Sequence, residues 1–337
     1  MNVVFLIGNG LDIQNGMKTR YTDFYNYILD QKDTEQINNN LLYKNIKERT
    51  AEWSDFEIAL GKFTRKVDLQ SADKFLDDLD EVIDDLTEYL KLQQENSYLN
   101  DEKYNYENVI LETMREYYSE LEDKDGDELR SLLKNYGEIV YHFVTFNYTN
   151  TIEQIISKSL VDTISDPYNS GYFWRINKRV IHAHGAIDNL MTIGVNDDSQ
   201  ILGEEFSERQ KEDLIKPLLL ENSRAANQSL ARNAIQGGNI FVIFGMSLGV
   251  TDTYWWELLA KRVLVNENHR LIINVFDPSY SKKSVRRARR DREKWENAYI
   301  SKLDNLGLTD EDKEKIRKRI YIIFNNSKVL MPKLREE

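Results

Sequence analysis

A doubly wound, mostly parallel α/β sheet interrupted by a large helical insertion is the fold class the sequence predicts, on three observations. The first is Val3 to Ile7, an apolar run with neither helical nor alternating period that stops at Gly8-Asn9-Gly10-Leu11-Asp12. Such a run reads as a strand buried on both faces, as in a parallel sheet. The second is that further short apolar runs alternate with helical periods along the chain, the order that builds βαβ units. The third is the stretch from about 41 to 136, which carries helical spacing and no strand pattern.

Taken in order, Tyr21 to Leu29 has apolar residues at helical spacing behind Thr22, completing a strand-loop-helix unit with the opening turn. Within the insertion, Trp53, Phe56, Leu60 and Phe63 repeat at helical spacing. Phe75, Leu76, Leu79, Val82, Ile83, Leu86 and Leu90 do the same, and Ile110, Met114, Tyr117 and Leu121 continue the pattern. Strands are predicted at Glu138 to Phe146, Arg179 to His184, Asn239 to Phe244, Arg270 to Phe276 and Arg319 to Phe324. Helices are predicted at Thr151 to Leu160, Val250 to Val265, Ser284 to Leu303 and Glu311 to Lys318. The 337 residues are expected to form one domain interrupted by the insertion at about 41–136.

Composition excludes several classes. There are no cysteines, so disulfides, thiolate zinc sites and cysteine catalysis are all absent. The net charge of −12 disfavours broad electrostatic binding to nucleic acid or anionic lipid. No signal-peptide pattern precedes the first strand, and no apolar run approaches bilayer length, so a cytoplasmic address is expected and no membrane partner. A local basic run, Lys282, Lys283, Arg286, Arg287, Arg289, Arg290, Arg292 and Lys294, reads first as a solvated helix face or a homo-oligomer contact, and second as a nucleic-acid patch. There is no Gly-x-Ser-x-Gly elbow, no HExxH helix and no P-loop, and the dinucleotide fingerprint lacks its third glycine, with Ile13 in its place.

In open α/β sheets ligands bind beyond the carboxyl ends of the strands. Five polar punctuations stand at predicted strand ends: Gly8 to Asp12, Thr145 to Thr149, His182 to Gly185, Gly245 to Leu248, and Phe276-Asp277-Pro278. One crevice is expected to gather all five. Gly8 and Gly10 let backbone amides approach a phosphate, with Asn9 between them. Asp12 suits a sugar hydroxyl or a helix start. Asn147 can donate and accept at once, which suits a ribose hydroxyl or a water, and it suits a turn equally well. His184 beside the glycine turn suits a general base, whereas His182 reads as structural. The two histidines lack an evident carboxylate partner, so no metal is expected. Ser247 lines a phosphate pocket or caps the next helix. Asp55 and Glu57 face differently on a helix, and Glu57 reaches Asp12 only if the insertion folds over the crevice.

These blocks are recognisable together. IGNGLD at 7–12, YTDFYNYI at 21–28, WSDFE at 53–57, FNYTNTIE at 146–153, HAHG at 182–185 and FGMSLGVTD at 244–252 resemble the AbiH family of phage abortive-infection proteins. More distantly they resemble the sirtuin-like fold, whose members hold NAD in a Rossmann-like crevice. By that resemblance Gly8 and Gly10 approach the pyrophosphate, Asn147 orients ribose or water, His184 is the base, and Gly245 and Ser247 line the adenosine side. The departures are Asn9 for the small alanine of the sirtuin turn, Thr149 for the acidic residue after the Asn, Met246 for a small or polar residue, and the missing zinc module. The last argues against protein deacylation. The resemblance therefore implies an antiphage effector that binds NAD or a related nucleotide, answers a phage-derived trigger, and acts as an NAD glycohydrolase-like enzyme. A non-catalytic nucleotide sensor or scaffold, and a nucleic-acid-acting toxin using 282–294, are the alternatives.

Overall fold

The computed structural model describes residues 1–67, 71–222, 227–280 and 284–335. Eight strands form the central sheet: β1 (Asn2–Ile7), β2 (Ile139–Thr145), β3 (Thr163–Ser165), β4 (Phe173–Ile176), β5 (Ile181–His182), β6 (Ile240–Phe244), β7 (Arg270–Val275) and β8 (Ile320–Phe324). Their order is β3-β4-β2-β1-β6-β7-β8, with β5 pairing the carboxyl end of β2, and only β3 runs antiparallel to its neighbour. The expected mixed α/β fold with a mostly parallel sheet is observed.

Because strand side chains alternate, the continuous apolar runs serve two cores at once. Val3, Phe5 and Ile7 join Phe143, Val242 and Ile323 on one face, while Val4 and Leu6 join Phe241, Ile273 and Ile322 on the other. Helices cover both faces. The first carries α5 (Val109–Glu116), α6 (Asp123–Lys134) and α7 (Thr151–Lys158). The second carries α9 (Asn227–Gly237), α10 (Thr253–Val265), α11 (Val285–Ile300) and α12 (Asp310–Arg317).

A third core lies beside the sheet and is wholly helical and looped. It unites α2 (Tyr21–Gln31), α3 (Phe56–Phe63) and α4 (Ala72–Glu95) with Ile187, Val195, Phe206 and Ile215. The helices predicted between about 41 and 136 therefore do not pack together. Those before residue 95 build this separate layer, whereas Val109, Ile110, Met114, Leu129 and Leu133 lie on the sheet. Helical period alone does not say which core an apolar face will meet.

Strand Arg179 to His184 shrinks to Ile181–His182, because β2 ends at Thr145 and leaves only Val144 and Thr145 to pair with it. Chain order runs outward from β1 first through β2 and later through β6, so the direction of winding reverses at β1. A crevice at the carboxyl ends of β1, β2 and β6 follows from that reversal. The basic helix α11 is described from Val285 on, while Lys282 and Lys283 lie outside the described residues. Arg292 of that helix is paired with Glu122 at 2.5 Å, and Arg289 with Glu293 at 3.6 Å. Among the described residues no helix is long and apolar enough to cross a membrane.

Candidate functional site

A cleft of about 470 Å³ opens at those carboxyl ends, with the helical layer as its opposite wall. Gly8, Asn9, Asp12, Asn147, His184, Gly245 and Ser247 line it, so most of the residues singled out from the sequence share one crevice. Two do not. Gly10 is packed behind the wall, where a Cβ would lie 2.5 Å from the Gly245 Cα. Asp277 is half-buried just past the end of β7, which β6 separates from β1. Its carboxylate accepts from its own loop at Ser279, 2.8 Å from the amide and 2.6 Å from the hydroxyl.

The opening turn is closed by backbone. Gly8 N–H donates to Phe244 O at 2.9 Å and Gly10 N–H to Gly245 O at 2.8 Å. Their amides, expected to face a phosphate, are instead spent zipping the β1 turn onto the β6 turn. The glycines are required by that close approach, since a Cβ on Gly8 would also stand 2.8 Å from Gly245 O. Asn9 turns its side chain along the wall, donating to Thr19 O at 2.9 Å and accepting from the Thr19 hydroxyl. It holds the 17–20 segment in place.

Asp12 sits at the floor, buried, and accepts from Thr149 Oγ1 at 2.8 Å and Thr151 Oγ1 at 2.7 Å. Thr149, a departure from the sirtuin pattern, is thus a partner of Asp12. Burial pushes the Asp12 carboxyl up to about 6 even against these hydroxyls. Asn147 is buried above it. Its amide Nδ2 has no hydrogen-bond partner, although it lies near enough to Asp12 to lower that carboxyl's pKa. Buried amide nitrogens are rarely left unpaired, which sets this atom apart from the rest of the lining.

His182 is tied beneath Asn147. Its Nδ1 lies 3.1 Å from Asn147 O and its Nε2 2.7 Å from Glu153 Oε1. A carbonyl and a carboxylate both accept, so the two contacts favour the doubly protonated ring. Burial opposes that charge, and Glu153, Asn147 O and Asp12 more than offset it, raising the pKa. The structural reading of His182 extends to holding the Asn147 backbone.

His184 is set by the Gly185 turn at φ +80° and by an edge-on contact with Phe146. Its Nε2 is 3.5 Å from Asp252 Oδ1. Burial first, and then Lys216, lower its pKa to about 3 despite Asp252, so the imidazole is neutral. Such a ring is a weak proton acceptor, and the base expected there must be sought among its neighbours.

Those neighbours are residues that the strand-end reading missed. Lys216, only 3 % exposed, donates to Glu57 Oε2 at 2.8 Å and to Asp252 Oδ1 at 3.3 Å. Burial alone would lower its pKa, but Asp252 and Glu57 raise it. Glu57 comes from α3, Lys216 from the start of α8 (Lys216–Asn222), and Asp252 from the loop before α10. Lys216 is fixed by a backbone bridge, its N–H donating to Val195 O at 2.9 Å. Glu57 does fold over the crevice, where it meets Lys216, and Asp55 joins it in the lining while capping Ile58 N at 3.1 Å. Asp252 and Glu57 stood inside the recognisable blocks FGMSLGVTD and WSDFE; Lys216 stood in none. Ser247 is exposed in the cleft and does not cap α10, whose N-cap position is Asp252. Among the described residues no group of three His, Asp or Glu side chains is arranged to hold a metal ion.

Asp12 and His184 titrate with opposite consequences. A carboxyl raised from 3.8 to about 6 contributes stability that is present below 3.8 and lost as pH rises through 6. A histidine lowered from 6.5 to about 3 contributes stability that is present above 6.5 and lost as pH falls toward 3. Between pH 4 and 6 the two slopes oppose one another. Asp12→Asn is expected to unmask an acid-side loss about 1.4 kcal/mol per pH unit steeper than in the parent. Urea denaturation between pH 4 and 7 measures it, and parallel profiles for the two proteins contradict it.

The model of one protein family, bacteriophage abortive infection AbiH, matches residues 4–275. No curated protein matches the chain. The matched span runs from β1 to the end of β7 and contains every residue that lines the cleft. Its extent over most of the chain shows that this protein belongs to the AbiH family of bacteriophage abortive infection.

Proposed function

We propose that this protein is an antiphage effector whose cleft binds NAD or a related nucleotide and hydrolyses its N-glycosidic bond. The observation that carries the reading is Asn147, a lining residue whose buried amide nitrogen has no hydrogen-bond partner, in a cleft that also holds the Glu57–Lys216–Asp252 array. Asn147 donates to a ribose oxygen or to the attacking water. Water adds to the anomeric carbon, the C–N bond breaks with its electron pair leaving on the base, and a carboxylate of the array accepts the water proton. The same carboxylates stabilise the positive charge that develops on the sugar. Neutral His184 positions Asp252. The reading takes the whole chain as one domain with a sirtuin-like, Rossmann-like sheet and the helical layer as its roof.

The test is the metabolite profile of phage-challenged cells expressing the parent, Asn147→Ala or His184→Ala. Asn147→Ala is expected to lose at least about 100-fold of turnover, the scale of one lost transition-state donor, while the protein stays folded in thermal unfolding. Loss of NAD in parent cells alone supports the reading. Unchanged NAD in all three, with phage protection intact in both variants, overturns it.

A further inference from the structure

The structure narrows the ligand, on the premise that the proposed N-glycosidic reading is correct. The two glycine amides expected to hold a phosphate at the first strand end are already committed. Both glycine amides of the opening turn are donated to Phe244 O and Gly245 O. The helix that follows, α1 (Gly10–Gln14), has only five residues and offers little dipole to an anion.

The charge in the cleft has the wrong sign for phosphate. Among the described residues, Asp12, Asp55, Glu57 and Asp252 line it, with Lys216 and Arg20 as the cations. Lys216 is held by two of those carboxylates. Arg20 stands at the rim with its side chain 59 % exposed, near Asp23 at 3.9 Å. An entering phosphate would therefore meet four carboxylates before any uncommitted buried cation, and repulsion in a partly dry site is severe. A cation would meet the reverse. The walls add Tyr21, Phe146 and Tyr148, whose ring faces attract a positively charged heterocycle.

We infer that the part of the ligand this cleft recognises is a phosphate-free, positively charged N-riboside, with any phosphates left outside the cleft. Hydrolysis then begins from a cationic ring and ends with a neutral one. The C1′–N electron pair neutralises the leaving heterocycle, water supplies the new C1′ oxygen, and its proton passes to Glu57 or Asp252. The acidic lining thus favours both the bound cation and the oxocarbenium character of the reacting sugar.

Purified full-length protein, with any phage activator that the NAD assay proves to require, is given nicotinamide riboside or NAD in parallel. Nicotinamide release is followed by chromatography, and ADP-ribose and inorganic pyrophosphate are tested by thermal shift. Nicotinamide riboside is expected to be cleaved with a kcat/KM within about tenfold of that for NAD or above it, and the two anions are expected to give no stabilisation. Asp55→Ser keeps a helix-capping side chain and removes one charge, and it is expected to weaken nicotinamide riboside and NAD alike. A preference for NAD of about 100-fold or more, or stabilisation by pyrophosphate, overturns the inference and leaves the glycosidic reading standing. Cleavage of neither compound overturns both.

Discussion

Lys216→Met is expected to lower stability by about 3–5 kcal/mol, the cost of leaving a buried charge without its partner. The ammonium is almost fully enclosed, and two carboxylates converge on it from segments far apart in the chain. Removing it leaves Glu57 and Asp252 facing one another in a buried site, where at least one must take up a proton. The effect should therefore be larger at pH 8 than at pH 5. Converting the partner as well, in Lys216→Met with Glu57→Gln, should recover part of the loss, because a neutral amide beside a thioether carries no unpaired charge. Urea unfolding of the single and double variants at both pH values measures this. A single variant within about 1 kcal/mol of the parent would show that the pair behaves like a surface ion pair.

Gly10→Ala is expected to cost about 3 kcal/mol, the upper part of the range for overpacking a close contact. A methyl group there meets backbone, the Gly245 Cα at 2.5 Å and its carbonyl oxygen at 3.0 Å, and neither can rotate away. Relief requires the β1 and β6 turns to part, which breaks the Gly10 to Gly245 hydrogen bond and shifts the wall on which Met246 and Ser247 stand. The contrast is Gly237→Ala, where the nearest atom is the Asn2 Nδ2 at 3.8 Å, so no clash arises and stability is kept or improved. Equal midpoints for the two variants in thermal unfolding would contradict the zipped-turn account.

How much was legible in the sequence follows from which interactions are local. A strand buried on both faces leaves a continuous apolar run, so β1, β2, β6, β7 and β8 were all visible, and so were the polar residues where each run stops. That placed Asn147, His184 and Ser247 at one sheet edge. The missing information was in partners. The same Gly-Asn-Gly turn that offers amides to a phosphate also lets two turns pack together, and only the position of Gly245 tells which. Lys216 precedes Pro217 and three leucines, a context without chemical signal, and its importance depends on Glu57, 159 residues earlier. Strands β3 and β4, the outer pair on one side of the sheet, are three and four residues long, too short for an alternating pattern to stand out.

That same separation has a consequence for the order in which the protein is made. Glu57 lies in the first fifth of the chain and Lys216 and Asp252 in the last two fifths, and the layer that holds α3 is itself completed only by residues as late as Ile215. A chain growing from its amino terminus cannot assemble the charged array until residue 252 has been synthesised, and contacts between such distant segments form late in folding. If the array carries the proposed activity, a polypeptide that stops before residue 252 is chemically silent, and the cell meets that chemistry only after the three segments have come together.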